Sequence, residues 1–217
     1  MAGEGPVYAN MLILARPAVS CESETAKHTG NAHLVTIRAG QQDDFPRLAE
    51  IELDAFIVWA EACGVAQEPM SAPISLLEQS LDEELLLVAE EAGRVVGFTL
   101  GLNEEGTLYI VEIDVERAAQ GKGVGTALMS ALLDRGRERG FAEALLTTDR
   151  YVPFNAPFYT KLGFRILEAG ETPAFLRKRL KAQIDSGLDP ERRVAMSKSL
   201  QGNLAIQEDI AGEQPAT

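Results

Sequence analysis

The chain has 217 residues, and its 33 acidic side chains outnumber its 20 basic ones, which gives a formal net charge of -13 at neutral pH. This length suits one domain with a sizeable core, and an apolar content of 46% excludes wholesale disorder. The acidity argues against a nucleic-acid partner, because such partners are held largely through their phosphates. No apolar run approaches the length of a membrane span, so no membrane partner is predicted.

Cysteine and histidine are scarce in this chain. Cys21 and Cys63 lie far apart, and His28 and His33 both precede the first predicted strand. None of the four has a neighbour at metal-ligand spacing, so no metal site is predicted. We expect a cytoplasmic protein with reduced thiols.

The two ends of the chain show no sustained periodicity. Residues 1–33 mix small, polar and charged side chains, and we predict that they form an N-terminal extension outside the fold. Residues 34–200 are predicted to form one domain, and residues 201–217 a loose C-terminal tail.

The predicted domain opens with a strand and a helix. Residues 34–38 are typical of a strand, and Asp43 or Asp44 begins a helix whose apolar residues recur at helical steps. Residues 56–73 are apolar and irregular, and a short helix is expected over residues 75–80.

An antiparallel meander of three strands follows. Apolar stretches cover residues 85–90, 95–100 and 107–115. The turn residues at 91–94 and 103–106 separate them, which is typical of hairpins.

The second half of the domain alternates helices with short strands. A helix ends near Gly140, and the strand at residues 144–148 should lie parallel to the strand at 107–115, because a crossover helix joins the two. Further along we predict a helix at 158–162, a strand at 164–167, a helix at 173–184 and a last strand at 193–200. The order of elements indicates an α/β (α+β) fold with a mixed sheet.

The junction between the third meander strand and the next helix carries the strongest signal. Apolar and acidic residues alternate over residues 111–116, which indicates a half-buried strand. Its apolar face would hold Val111, Ile113 and Val115. From Val124 the apolar residues recur at three- and four-residue steps, as on one face of a helix.

Glycines at every second position occupy that junction. Gly121, Gly123 and Gly125 lack Cβ atoms, so an anion can approach the unpaired N–H groups at the helix start. Gln120 and Lys122 add side-chain donors. The stretch is therefore a candidate phosphate or pyrophosphate site.

The spacing of these glycines discriminates between phosphate ligands. A Walker loop would need glycine at Glu116, and a dinucleotide fingerprint would need glycine at Thr126. The pattern that fits is Gln-x-x-Gly-x-Gly, from Gln120 through Gly123 to Gly125. It resembles the coenzyme A pyrophosphate loop of the GNAT superfamily of N-acetyltransferases.

A second stretch, residues 155–164, resembles the C-terminal signature of the same superfamily. Asn155 precedes a short helix that carries Tyr159 and ends in Gly-Phe. Pro157 departs from the pattern, but a proline is tolerated in a first helical turn because it needs no N–H partner there.

The resemblance implies the GNAT fold: a mixed, mostly antiparallel central sheet, splayed between strands 4 and 5 and flanked by helices. It also implies acetyl-CoA as cosubstrate, without a metal. The residues expected to bind it are Ile113, Val115, Gln120, Gly121, Lys122, Gly123, Val124, Gly125, Thr126, Asn155 and Phe158.

The resemblance further implies the catalytic groups. Tyr159 is the expected general acid, because its ordinary pKa of about 10 lies above that of a thiol, about 8.5, so it can protonate a departing thiolate. Glu112 is the best candidate base, with Asp114 as its rival. Many family members need no dedicated base, and the alternative interpretation of both acids is a solvated strand carboxylate or a substrate anchor.

The acceptor is left open by the sequence. Phe56, Trp59 and Tyr151 are expected to line its pocket, and the substrate is a primary amine of a small molecule or peptide. A homodimer is also left open. The alternative function is a catalytically silent module of the same fold that binds acyl-CoA or scaffolds a partner.

Overall fold

The computed structural model describes residues 35–64 and 71–201. The predicted extension 1–33 and all but the first residue of the predicted tail 201–217 lie outside that part, as do residues 65–70 of the irregular segment. The described strands are β1 (Thr36–Ala39), β2 (Leu86–Glu91), β3 (Arg94–Glu104), β4 (Thr107–Val115), β5 (Glu143–Asp149), β6 (Arg165–Ile166) and β7 (Arg193–Ser199). The helices are α1 (Phe45–Cys63), α2 (Ile74–Asp82), α3 (Val124–Glu138), α4 (Ala156–Lys161) and α5 (Ala174–Asp185), with short 3-10 turns at Gln42–Asp44 and Arg117–Ala119.

One seven-stranded sheet has the order β1-β2-β3-β4-β5-β7-β6. Every neighbouring pair is antiparallel except β4 and β5, so the predicted meander and the predicted parallel partner are both confirmed. The turn between β2 and β3 places Ala92 and Gly93 at φ 51° and 78°, a left-handed pair that suits a tight hairpin.

The parallel pair β4–β5 is short. Only Leu108 with Ala144 and Tyr109 with Leu145 are in register, and the strands diverge beyond them. The predicted splay between strands 4 and 5 is therefore confirmed. Among the strands that the structure describes, none pairs with the β5-facing edge of the second half of β4.

A β-bulge in β4 corrects the predicted face of Val111. Leu100 pairs with Glu112 and Gly101 with Ile110, so Val111 is the extra residue. Val111 packs in the cluster covered by α2, α5 and the first half of α1, whereas Ile113 packs in the cluster covered by α3. The strict alternation predicted from the sequence fails because one inserted residue shifts the period.

The expectation of a half-buried β4 is also wrong. Every residue of the strand after Thr107 is buried. Helices cover the sheet on both sides: α3 and the second half of α1 on one side, and α2, α5 and the first half of α1 on the other. The acidic residues of β4 are consequently interior groups.

Candidate active site

A cleft of about 390 Å³ lies between the α3 N-terminus and α4. Eight of the predicted cofactor residues line it: Val115, Gln120, Gly121, Gly123, Val124, Gly125, Thr126 and Phe158. Five further residues complete the lining: Ala119, Pro153, Phe154, Pro157 and Lys161. Three predicted cofactor residues do not line it, namely Ile113, Lys122 and Asn155. The cleft brings the two sequence motifs together.

The glycine loop, residues 120–126, forms one wall of this cleft. Gly121 and Gly123 have φ of 76° and 85°, a region that other residues enter at a cost. Helix α3 starts at Val124, so its unpaired first N–H groups and its positive dipole end face the cleft. Lys161 supplies an exposed cation from α4. This wall suits a diphosphate.

Replacing Gly123 by alanine tests the loop. Nothing lies within 4 Å of an added Cβ, so the change acts through backbone strain alone, at a cost of about 1–2 kcal/mol. We expect Kd for acetyl-CoA to rise by about tenfold, measured by calorimetry. Gly170→Ala is the matched control, because Gly170 has equal space and no positive φ, and it should leave Kd unchanged. An unchanged Kd in both variants would contradict the assignment of the loop.

Side chains fix the entrance to the glycine loop. Gln120 donates from Nε2 to the Val115 carbonyl at 2.9 Å, so its amide closes the loop on itself. The Asp54 carboxylate accepts the backbone N–H of Arg117 at 2.7 Å and its Nε at 2.6 Å. Glu116 accepts from two arginines, one on α1 and one on β3. Helix α1 thus holds the loop in place.

Helix α4 carries Tyr159, which is fully buried and is not among the residues that line the cleft. The Asn155 carbonyl accepts the N–H groups of Phe158 and Tyr159 at 2.8 and 3.1 Å, and Pro157 sits in the first turn as expected. The rings of Phe158 and Phe164 pack edge-on against Tyr159. Asn155 therefore acts on Tyr159 through its backbone.

The Tyr159 hydroxyl is an unusual group. It is fully buried, and it has no hydrogen-bond partner among the described residues. Burial raises its pKa well above the ordinary value, and the neighbouring Asp114 carboxylate raises it further. The phenol therefore stays protonated over the neutral range.

Glu52, Glu112 and Asp114 form an acidic cluster, in which Glu112 feels the charges of the other two and Asp114 also acts on the Tyr159 hydroxyl. All three residues are buried, which rules out the solvated-carboxylate reading. Burial raises the pKa of Glu112 well above its ordinary value, and the charges of Glu52 and Asp114 add to the effect. Burial also raises the pKa of Glu52 to about 7, although its carboxylate accepts the Ala72 N–H at 2.6 Å.

Sequence reasoning missed Glu52. It precedes Phe56 by four residues and Trp59 by seven, so the three share one face of α1. A glutamate on an otherwise apolar helical face was the available signal.

The residues predicted to line the acceptor pocket lie in two separate places. Phe56 and Trp59 are buried with ring centroids 5.8 Å apart, and the Trp59 indole N–H has no partner among the described residues. Tyr151 is 61% exposed, with the Arg192 guanidinium 5.8 Å from its ring centroid. Tyr151 belongs neither to the cleft lining nor to the buried core.

Neither a metal-binding cluster nor a membrane-spanning helix occurs among the residues that the structure describes. Residues 35–64 and 71–201 contain no group of three or more His, Cys, Asp or Glu arranged to hold a metal ion. None of the helices in those ranges is both long and apolar enough to span a membrane.

Residues 45–164, more than half of the chain, match the model of the acetyltransferase (GNAT) family. The chain belongs to that family. The match includes both the glycine loop and α4, so the resemblance that the two motifs indicate is confirmed.

Curated relatives match over part of their length. L-2,4-diaminobutyric acid acetyltransferase of Virgibacillus pantothenticus is 43% identical over 65 residues, 29% of this chain and 41% of that protein. An uncharacterized N-acetyltransferase of Methanocaldococcus jannaschii is 32% identical over 96 residues, 44% of this chain and 55% of that protein. The chain thus spans about half the length of these relatives or less.

Solved structures share the fold. PaiA N-acetyltransferase from Thermoplasma acidophilum, determined in complex with coenzyme A, has a TM-score of 0.55 at 15% identity. The similarity covers 76% of this chain and 99% of that one. The predicted GNAT fold is therefore confirmed.

Proposed function

We propose that this protein transfers the acetyl group of acetyl-CoA to a primary amine of a small molecule or peptide, by direct attack in a ternary complex. The observation that carries the proposal is the cleft in which the glycine loop faces α4, the helix of the buried Tyr159 hydroxyl. Its relatives are named acetyltransferases, and a structure of the same fold binds coenzyme A. A cytoplasmic location stays a prediction.

Two parts of the site would hold acetyl-CoA, one for its diphosphate and one for its pantetheine arm. The diphosphate would accept N–H groups from the glycine loop, with Lys161 as counter-charge. The pantetheine arm would lie along the unpaired edge of β4, where the backbone groups of Ile113 and Val115 are predicted to hold it like an added strand. The Val115 carbonyl already accepts from Gln120, so its second lone pair is the one available.

The reaction needs one acid and one base. The amine nitrogen attacks the thioester carbonyl, the N–C bond forms and the C–S bond breaks. Glu112 accepts the proton that nitrogen loses, with Asp114 as the rival, and Tyr159 gives a proton to the departing sulfur. One proton moving from the carboxyls to the tyrosinate restores both groups, and the charge of Asp114 acts on both Glu112 and Tyr159.

The alternative function is an acyl-CoA-binding module without turnover. The buried carboxyls and the unpaired hydroxyl favour the enzyme, because a binding module gains nothing from burying them. Free thiol release, followed with acetyl-CoA and a panel of primary amines and short peptides, tests the proposal. Tight acetyl-CoA binding with no thiol release on any acceptor would support the silent module instead.

A further inference from the structure

The carboxylate of Asp149 closes the turn that follows β5. The residue is 3% exposed, and its Oδ1 atom accepts the backbone N–H groups of Tyr151 and Val152 at 2.8 and 2.9 Å. Its Oδ2 atom accepts a hydrogen bond from Nε of Arg192 at 2.7 Å. One buried carboxylate thus bends the chain as it leaves the sheet and ties the bend to the residue that precedes β7.

Asp149 keeps its negative charge in this position. Burial acts to raise its pKa, but the hydrogen bonds from Arg192 and from the N–H groups of Val152 and Tyr151 outweigh that effect and hold the pKa below its ordinary value. An ionised carboxylate only accepts hydrogen bonds, so it can serve all three donors at once. The turn is therefore held by a charged group at neutral pH.

The chain that follows this carboxylate leads to the candidate site. The Val152 carbonyl accepts the Asn155 N–H at 2.9 Å, and the Asn155 carbonyl accepts the Tyr159 N–H at 3.1 Å. Pro153 and Phe154 lie between Val152 and Asn155 in the chain, and both line the cleft. Successive hydrogen bonds therefore connect the carboxylate with the cleft wall and with the helix that carries Tyr159.

Helix α4 depends on support from outside because it is short. It has six residues, and a helix of that length is not stable on its own. The Asn155 side chain makes no capping bond to the α4 backbone. The direction in which the chain enters the helix is therefore set by contacts before it, among them the hydrogen bond between the Asn155 N–H and the Val152 carbonyl.

Strand β7 gives the turn a fixed base. Asp149 pairs with Arg193 in the antiparallel ladder of β5 and β7, and the Arg150 N–H donates to the Arg192 carbonyl at 2.7 Å. The Arg192 guanidinium also lies 5.8 Å from the ring centroid of Tyr151. The ion pair of Asp149 and Arg192 therefore attaches the turn to the sheet.

We infer that Asp149 is a positioning residue for acetyl transfer: paired with Arg192, it holds the turn after β5 so that α4 places the Tyr159 hydroxyl for proton donation to the departing sulfur. This inference rests on the proposed function and adds to it a residue outside the cleft lining. Asp149 acts through the backbone of Val152 and Asn155 and takes no part in the chemistry itself.

Replacing Asp149 by asparagine tests this role. The amide oxygen can still accept the two N–H groups of the turn, but the NH2 group faces the Nε donor of Arg192, so the tie to β7 is lost. Thiol release is followed with acetyl-CoA and the primary amine that the native protein acetylates fastest. We expect kcat to fall by about 10- to 100-fold, the effect of a small misplacement of a catalytic group. Kd for acetyl-CoA should rise by no more than about threefold, since the glycine loop is unchanged.

Asp44→Asn is the matched control. Asp44 accepts two hydrogen bonds from Arg38, at 2.8 and 2.9 Å, and one from the backbone N–H of Gln41 at 2.9 Å. Arg38 belongs to β1, an edge strand that three strands separate from β5. Both substitutions should lower the urea midpoint, because each breaks an ion pair, but only Asp149→Asn should lower kcat.

A double-mutant cycle separates positioning from a loss of folded protein. In the Tyr159→Phe background no hydroxyl remains to be placed, so adding Asp149→Asn should lower kcat by no more than about threefold. A loss of folded protein would instead lower kcat by the same factor in both backgrounds.

Substitutions of Arg192 provide a second series if Asp149→Asn fails to fold. Arg192→Lys keeps a cationic donor opposite Asp149 and should retain kcat within about fivefold of native. Arg192→Met keeps the apolar stem but removes the donor and the charge, and it should lower kcat by about tenfold or more.

The outcomes separate this inference from the proposed function. A native kcat in Asp149→Asn, or equal losses with and without the Tyr159 hydroxyl, would overturn the positioning role and leave acetyl transfer intact. A native protein that binds acetyl-CoA but releases no thiol with any amine would overturn the proposed function, and the inference with it.

Discussion

Replacing Tyr159 by phenylalanine is expected to lower kcat for acetyl transfer by about 100- to 10,000-fold, the usual contribution of a positioned acid. The buried phenol lies beside Asp114, and its raised pKa keeps it protonated, so it is ready to protonate the departing sulfur. Without that proton the thiolate must leave as an anion inside the protein. Stopped-flow or steady-state thiol release measures the loss.

The same substitution should make the protein more stable. The hydroxyl is buried without a partner among the described residues, which costs about 1–3 kcal/mol, so its removal should raise the free energy of unfolding by that order. Urea denaturation measures this, and calorimetry should give an unchanged Kd for acetyl-CoA. A Tyr159→Phe variant that loses activity but gains stability would indicate a general acid, because a tyrosine that only packs would not lower kcat when its hydroxyl is removed.

A matched control lies on the opposite side of the sheet. Tyr109 is equally buried, but it packs in the cluster beneath α5, with the Arg179 guanidinium 4.3 Å from its ring centroid. Tyr109→Phe should leave kcat within about threefold of native, a small change in energy terms. Turnover that is unchanged in Tyr159→Phe at every pH would show that Tyr159 is not the acid.

The sequence predicts most of the fold because its local signals agree with one another. The change from period two to period 3.6 across the glycine loop corresponds to the end of β4 at Val115 and the start of α3 at Val124. The hairpin turns are predictable because Gly93 and Gly106 supply the positive φ that tight turns need. Boundaries differ by only one to three residues for most elements.

Burial of the acids was not predictable from local pattern. Alternating apolar and acidic residues ordinarily indicate a strand with one wet face, yet Glu112 and Asp114 are both buried, and Glu52 of α1 acts electrostatically on Glu112. The bulge at Val111 arises from pairing between β3 and β4, a long-range feature that no short pattern encodes. The partnership of Glu52 with Glu112 spans sixty residues and has the same origin.

Part of the candidate site was likewise predictable from the sequence, and part depends on long-range packing. The glycine loop was found because its chemistry is local and its spacing is distinctive. Pro153 and Phe154 line the same cleft only because the chain before α4 folds back against the loop, which spacing does not reveal. The Gln120 amide donates to the Val115 carbonyl, a contact that depends on how the loop closes and that the spacing does not reveal.

Replacing Glu112 by glutamine should lower kcat/KM for amine acetylation by about 100-fold or more, because the amide cannot take a proton from nitrogen. In the native protein kcat/KM should rise with pH as Glu112 loses its proton, and its raised pKa moves that rise above the ordinary range of a glutamate. In the variant this step should vanish. Asp114→Asn is the comparison: a larger loss there than in Glu112→Gln would assign the base to Asp114.

The pH dependence of stability gives an independent check on Glu112. Its folded pKa lies above its unfolded value, as does that of Glu52, so the folded protein binds more protons than the unfolded chain across that interval. Stability should therefore fall as pH rises from the ordinary glutamate range through about 7, where Glu52 titrates. Glu112→Gln removes one of the two contributions, so its urea midpoint should fall less over the same pH range. Parallel curves for variant and native protein would mean that Glu112 does not carry the raised pKa, and a base with an ordinary pKa would then have to be sought elsewhere.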